Sequence, residues 1–344
     1  MSSPEPRPTL AQVAKQANVS VTTASLALSN KGRISDEVRD RVKRAADALA
    51  YSPRAKRRTK TGVTAVLGFI DQEWAYSWSM QLAVLRGITR QLAVAGNRSA
   101  CVVPVEASDS AEQIIARIKA VQADSVFSIH YAERELILGL EAEEIPVVII
   151  MNNEFQTEFT SVCVDDFHGA YDACSVLVQA RHERIAYISA ELPMLSGLRV
   201  DRLLGFQKCL SEHGLSCPAE YQPVVHVHAQ REVDQAVERL MSADPAPTAC
   251  FVMDDYLGVA VLESVRRLGL SVPQDLSIIC AGDVLDYGEP YVPQLSTLSI
   301  PFEYMGATAV GLLDRQLAEE RSRHEVLKVN QVYVDRGSVA PLGA

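Results

Sequence analysis

No stretch of this 344-residue chain approaches the roughly 20 consecutive apolar residues of a membrane-spanning helix, and Met1–Pro8 has no apolar core of a signal peptide. The expectation is a cytoplasmic protein with no membrane partner. Its seven cysteines are scattered, odd in number and never spaced C-x-x-C, so they outline neither a disulfide framework nor a zinc site. Several lie in apolar strand-like runs and read as reduced core thiols. P-loop, G-x-S-x-G, H-E-x-x-H and G-x-G-x-x-G patterns are all missing. The Asp165-Asp166 and Asp254-Asp255 pairs lack metal-ligand companions, so neither an enzyme nor a metal or cofactor is implied.

What is present is ordinary in amount and uneven in placement. Hydrophobic residues make up 48% and charged residues 22%, which excludes global disorder, and the length exceeds a single core and suits two or three domains. The net charge of −10 looks unfavourable for nucleic acid until it is divided. Residues 1–62 hold 13 Lys or Arg against five Asp or Glu, leaving 20 basic and 38 acidic residues downstream. A basic head on an acidic body is the asymmetry of a chain that meets phosphates at one end only.

Inside the head, Leu10, Val13, Ala14 and Ala17 line one face of a short helix over Leu10–Ala17 that Thr9 can cap. Asn18 tolerates the left-handed conformation that ends a helix, and Ser20 can cap a second one whose buried side is Ala24, Ala27 and Leu28. Two helices joined by about three residues make a helix-turn-helix, which presents the start of the second helix to a major groove. A basic loop over Ser29–Arg33 leads to a third helix that starts at Ser35-Asp36-Glu37 and keeps Val38, Val42, Ala45, Ala46 and Leu49 on one face. Tyr51-Ser52-Pro53 ends the packed unit. The next nine residues, Arg54–Gly62, include five basic ones and read as a linker that orders on the DNA backbone.

From Val63, apolar strands alternate with amphipathic helices. Strands are predicted at Val66–Ile70, Ala100–Val103, Ser125–Ile129, Val147–Met151, Ile185–Ser189, Val224–Val227, Cys250–Met253 and Leu276–Ala281, with helices between them from Met80–Ala95 to Tyr256–Leu268. Such alternation implies parallel sheets covered on both faces, and two successive units of similar size imply two lobes with a ligand crevice at their strand ends. The fold class is therefore an all-α helix-turn-helix headpiece followed by an α/β body of two doubly wound parallel-sheet lobes.

Thr9–Ala14, Val19–Ser25, Gly32–Ser35 and Leu49–Pro53 resemble the lactose-repressor/galactose-repressor (LacI/GalR) family of transcriptional regulators. The body adds Ile145–Val148, Val164–Ala170, His182–Ile185, Arg202–Phe206, Asp254-Asp255, Val272–Ser277, Pro293–Leu298 and Asp335–Ser338 in the same order, so the resemblance covers nearly the whole chain. It implies a periplasmic-binding-protein-like body, a homodimer, double-stranded operator DNA as one partner and a small-molecule effector as another. The implied domains are a headpiece over 1–53, a basic hinge over 54–62 and a body over 63–344. One lobe is expected at about 63–163 plus 296–325 and the other at about 164–295 plus 326–344, with the third of three crossings near Arg323–Lys328. No trailing heptad repeat is present, which favours a dimer over a tetramer.

In the head, the resemblance assigns base-edge contacts to Val21 and Thr22, phosphate contacts to Ser20 and Ser25, and a loop contact to Arg33. Thr9, Leu26 and Tyr51 complete that surface, and Arg54, Arg57 and Arg58 follow in the hinge. Leu26 stands where several members carry Arg, so no guanine contact is assigned to it. In the body, Asp71, Trp74, Tyr76 and Trp78 follow the first strand, where the family lines its cleft; both tryptophans of the chain are there, as befits stacking on the apolar face of a sugar. His130 ends a strand at the cleft edge, Arg202 matches the Arg that clasps ligand oxygens, Asp254 and Asp255 precede a helix, and Asp283 matches an acid that holds sugar hydroxyls. Met151 and Asn152 replace a polar pair, and no contact is assigned to them. Ionised Asp accepts hydrogen bonds without donating, which favours a neutral sugar or derivative over an anion.

Three functions follow: a repressor released by its effector, a corepressor-type regulator whose ligand strengthens DNA binding, and a solute-binding protein, against which the headpiece argues. Many members carry in the hinge a Leu that wedges into the minor groove; here Arg54, Arg57, Arg58, Thr59 and Lys60 occupy the segment. Cations neutralise phosphates and sit in a narrow minor groove without prising base steps apart. Operator DNA is therefore expected to bend little at its centre, and each added phosphate contact to steepen the fall of log K with log salt by about 0.9. A permuted-site bending assay with a salt titration checks both; a sharp central kink would contradict the expectation.

Overall fold

The computed structural model describes residues 10–28, 34–49, 62–69, 78–96, 98–191, 196–226, 229–318 and 324–343, and the chain forms two compact units, Met1–Lys60 and Thr61–Ala344. In the first, α1 (Leu10–Gln16), α2 (Val21–Leu28) and α3 (Asp36–Ala48) pack around Val13, Val42 and six alanines, side chains small enough for short helices to meet closely. Asn18 takes φ +53 between α1 and α2, a left-handed stop that a short polar side chain tolerates. Ser20 Oγ accepts from the Thr23 N–H at 3.0 Å and caps α2. Ser35 stands extended before α3 without a side-chain cap bond, and Asp36 and Glu37 complement the helix dipole there. Arg41 Nε donates to the Ala17 carbonyl at 3.0 Å, tying α3 to the end of α1. The basic loop and the hinge expected at 54–62 lie outside the described residues, except for Gly62.

The second unit begins with β1 (Val63–Phe69), α4 (Trp78–Ala95), β2 (Ser99–Val105), α5 (Ala111–Ala120), β3 (Ser125–Ile129), α6 (Arg134–Ala142), β4 (Val147–Ile150) and β5 (Ser161–Val164). It continues with α7 (Asp166–Gln179), β6 (Ile185–Ala190), α8 (Ser196–Glu212), β7 (Val224–Val225), α9 (Gln230–Met241), β8 (Ala249–Val252), α10 (Asp255–Arg267) and β9 (Ser277–Gly282). β10 (Ser296–Ser299), α11 (Phe302–Ala318), β11 (Val326–Val329) and β12 (Val332–Val334) close it. The strands make two six-stranded sheets, ordered β11-β5-β4-β3-β1-β2 and β12-β10-β9-β8-β6-β7, parallel throughout except for β12 against β10. Helices α5 and α6 cover one face of the first sheet and α4 and α11 the other; α9 with α10, and α7 with α8, cover the second. Strands β4, β6 and β9 are consequently buried at every position, which is why their sequences are nearly continuous apolar runs.

The lobe boundaries differ from expectation near the C-terminus. β10 pairs with β9, so 296–299 belongs to the second lobe and not the first, while β11 pairs with β5 at the edge of the first sheet and not in the second lobe. The chain does pass between the sheets three times, but the third passage falls at 330–331, between β11 and β12, rather than near 323–328. The edge strand beside β5 was still unfilled, and Val326–Val329 fills it before the chain leaves.

Two helix pairs approach at glycine. A Cβ on Gly205 of α8 would lie 1.9 Å from the Phe167 carbonyl oxygen of α7, and one on Gly87 of α4 would lie 1.9 Å from that of Glu303 on α11. Gly205→Ala should therefore destabilise the body by about 1–3 kcal/mol through overpacking. Gly311→Ala on α11, where the nearest atom is Arg315 Nη1 at 3.9 Å, should stabilise it by about 0.5–1 kcal/mol through helix propensity. Urea unfolding of both variants checks the contrast, and equal effects would mean that backbone contact does not limit the α7–α8 approach.

Candidate functional site

The first candidate surface is the start of α2. Ala24 and Ala27 bury its other side, leaving Ser20, Val21 and Thr22 exposed, Val21 at 48%. A branched methyl pair beside two hydroxyls suits a thymine methyl and base-edge or phosphate oxygens. The side chains of Ser25 and Leu26, and the whole of Thr9, Arg33, Tyr51, Arg54, Arg57 and Arg58, lie outside the described residues.

The second lies in the body, where the strand ends of its sheets meet. The winding reverses between β1 and β3 in one sheet and between β6 and β8 in the other, and a cleft of about 620 Å³, partly open to solvent, lies at those ends. His130 follows β3, Met151 and Asn153 follow β4, and Met253, Asp254 and Asp255 follow β8; Arg202 reaches in from α8 and Asp166 from the start of α7. Met80, Tyr256, Val284 and Ile300 add mostly apolar walls.

Most polar groups of this cleft are bound to one another. Arg202 is 4% exposed; its Nε donates to Asp166 Oδ1 at 2.8 Å and its Nη1 to the Met253 carbonyl. Asn153 Nδ2 donates to Asp166 Oδ2 at 3.0 Å and to Asp201 Oδ2 at 3.4 Å. Burial drives the Asp166 pKa upward and the Arg202 charge opposes it. Asp254 Oδ1 caps α10 by accepting from the Leu257 N–H at 2.7 Å. Two groups remain. Asp255 Oδ2 accepts from the Val284 and Leu285 N–H groups at 2.8 and 3.0 Å, but its buried Oδ1 has no hydrogen-bond partner, and burial pushes the carboxyl up to about 6. His130, held at φ +60, is buried with neither ring nitrogen in a well-formed hydrogen bond among the described residues, and burial pushes its pKa down to about 4 against a weaker opposing contact with the Met151 backbone. A neutral imidazole, able to donate and accept, thus stands on one lobe and an unsatisfied carboxylate oxygen on the other.

Of the residues assigned to the effector from sequence, His130, Arg202, Asp254 and Asp255 come together in this cleft. Trp78 opens α4 at 53% exposure and does not line it, while Asp71, Trp74 and Tyr76 lie outside the described residues. Asp283 is absent from the lining because its backbone turns at φ +91 and its carboxylate accepts from Arg336 Nη2 at 2.6 Å and Thr297 Oγ1 at 3.0 Å. Asn152 braces the neighbouring loop, donating to the His130 carbonyl at 2.7 Å, whereas Met151 lines the cleft. Asp166 and Asn153 were missed; the available signal was polar residues placed directly after apolar strands.

Residues 9–54 match the description "Bacterial regulatory proteins, lacI family" and residues 175–339 "Periplasmic binding protein-like domain". The "HTH-type transcriptional repressor PurR" of Escherichia coli is 30% identical over 342 residues, 96% of this chain and 97% of that protein. The chain belongs to the lacI family. It is therefore a DNA-binding transcriptional regulator and not an enzyme. Two solved structures share its fold: the complex of transcriptional regulator CelR with cellobiose, with TM-score 0.68 and 23% identity over 96% of this chain and 100% of that one, and the lac repressor dimer bound to operator and the anti-inducer ONPF, with 0.66 and 20% over 97% and 100%. Among the described residues, no helix is long and apolar enough to cross a membrane, and no group of three or more His, Cys, Asp or Glu is placed to hold a metal ion.

The raised Asp255 pKa has a signed consequence. Its folded value of about 6 exceeds the ~3.9 of an unfolded Asp, so between the two the native state holds the extra proton. Stability is then fully present below about pH 4 and falls as pH rises through about 6. Asp255→Asn keeps an oxygen for the Val284 and Leu285 donors and removes the charge. It should flatten that slope and stabilise the unliganded body at pH 7.5 by about 1–3 kcal/mol. Urea unfolding between pH 4 and 8 measures both effects, and an unchanged slope would show that another group titrates.

Proposed function

We propose that this regulator is a repressor that holds its operator as a homodimer in the cytoplasm and releases it when a neutral sugar or sugar derivative enters the cleft. The observation that carries this is the uneven use of the cleft's polar groups: Asp166 neutralises Arg202, while among the described residues the His130 ring and Asp255 Oδ1 make no well-formed hydrogen bond. One ligand hydroxyl donating to Asp255 Oδ1 and another exchanging hydrogen bonds with His130 satisfy both and bridge the lobes. Bridging gives the ligand unequal affinity for two lobe arrangements, which is what shifts a conformational equilibrium. The lining holds three Asp against one Arg, which disfavours anions, and Met80, Met151 and Met253 offer soft apolar contact to the C–H face of a ring. A relative is named a repressor and a structural neighbour was solved with cellobiose, in keeping with this reading. The division into headpiece over 1–53, hinge over 54–62 and body over 63–344 belongs to the same proposal.

Duplexes selected from a random pool by the full chain, followed by gel shifts titrated with neutral and phosphorylated sugars, test it. A neutral sugar should weaken DNA binding by about 5- to 150-fold, the usual range of allosteric coupling, and phosphorylated sugars should not. Tightening by the ligand would instead make it a corepressor, and indifference to every sugar would sink the proposal.

A further inference from the structure

The second lobe contains another hollow, separate from the cleft between the lobes. It spans about 440 Å³ including the solvent at its open mouth, and its lining comes from β6, Gln222, β7 and the first half of α8. Three of its side chains are donors without acceptors among the described residues. Tyr187 is 2% exposed and packs against Phe206 and Phe251 with ring centroids 5.5 Å away, and its buried hydroxyl has no hydrogen-bond partner. Ser189 lies two residues further along β6, hence on the same face of the sheet, and is 4% exposed. Arg199, half-buried, makes no ion pair among the described residues. Val200, Leu203 and Val224 supply apolar walls at the hollow's open side.

A cation and two hydroxyls lining one hollow supply the donors that an oxyanion needs, the guanidinium meeting its charge. We propose that this hollow is a second small-molecule site of the body, taking a carboxylate or phosphate group on Arg199, Tyr187 and Ser189. The site opposes the main cleft in charge preference, so one chain accommodates two chemically different ligands. Arg199 and Arg202 are three residues apart on α8 and therefore neighbours on its surface, which links the two sites through one helix.

The test is calorimetric and thermal-shift titration of the full chain with sodium phosphate and with sodium acetate, each against sodium chloride at equal ionic strength. Saturable binding of one anion per chain is expected with phosphate, acetate or both, and which of the two binds identifies the class. Arg199→Ala should weaken it at least tenfold and Tyr187→Phe several-fold, whereas Asp255→Asn in the main cleft should leave it unchanged. Tyr187→Phe without anion should fold at least as stably as the parent chain, because it removes a buried unpaired hydroxyl, so lost binding cannot be attributed to misfolding. Binding by Arg199→Ala equal to the parent, or an equal response to chloride, overturns the proposal.

Discussion

The buried pair between Arg202 and Asp166 fixes the rest of the effector cleft. Asp166 is the first residue of α7, immediately after the chain leaves the first sheet, and its side chain is 1% exposed against 5% for Arg202. Asn153 from beyond β4 completes the carboxylate's shell, and the Met253 carbonyl at the end of β8 takes another guanidinium hydrogen. One ion pair thus registers elements of both lobes. Its net contribution to stability is small, since desolvation offsets most of the attraction, but removing either partner strands a buried charge at about 3–5 kcal/mol. The arrangement therefore acts as a locating pin, and it also removes the positive charge that an anionic effector would need.

With Arg202 neutralised, the character of the cleft passes to groups that a motif comparison undervalues. His130 and Asp255 occupy corresponding places, each just beyond a strand next to the point where the winding of its sheet reverses. Each is buried with hydrogen-bonding capacity left over, an arrangement that costs about 1–3 kcal/mol per group in the absence of a partner. Under the proposed function that cost is recovered when a ligand meets both groups.

How far the sequence disclosed this architecture depended on burial. Strands buried on both faces announce themselves as apolar runs, and Ser125–Ile129 was legible to the residue. β10, read Ser-Thr-Leu-Ser, and β11, read Val-Leu-Lys-Val, carry no such run, so the late exchange between sheets was invisible and the lobe boundary was misplaced. In the head, Asn18 and Ser20 were legible because chain reversal and capping are local events. Asp254 and Asp255 could be placed because a strand end and a helix start fix where they point, and Arg202 because its surroundings match the family motif. Asp283 could not, since its partner Arg336 lies 53 residues away and a positive φ turns the carboxylate toward it. Asp166 escaped for the same reason, with a partner 36 residues downstream.

The N-terminal end of the first sheet is held by a buried polar network. The Gly62 N–H donates to Asp124 Oδ2 at 3.0 Å, and Asp124 pairs at 2.7 Å with Arg98, both side chains 5% exposed. Burial pushes the Asp124 pKa up, yet the Arg98 and Gly62 bonds outweigh it and leave the carboxyl below its ordinary range, so the pair stays ionised. Arg98 also donates to Thr64 and Ser125 on the adjacent strands β1 and β3. Gly62 is thereby fastened to the first sheet by a charged, satisfied network. Under the proposed function, a ligand that bridges His130 and Asp255 acts on a first sheet whose N-terminal entry is held rigidly.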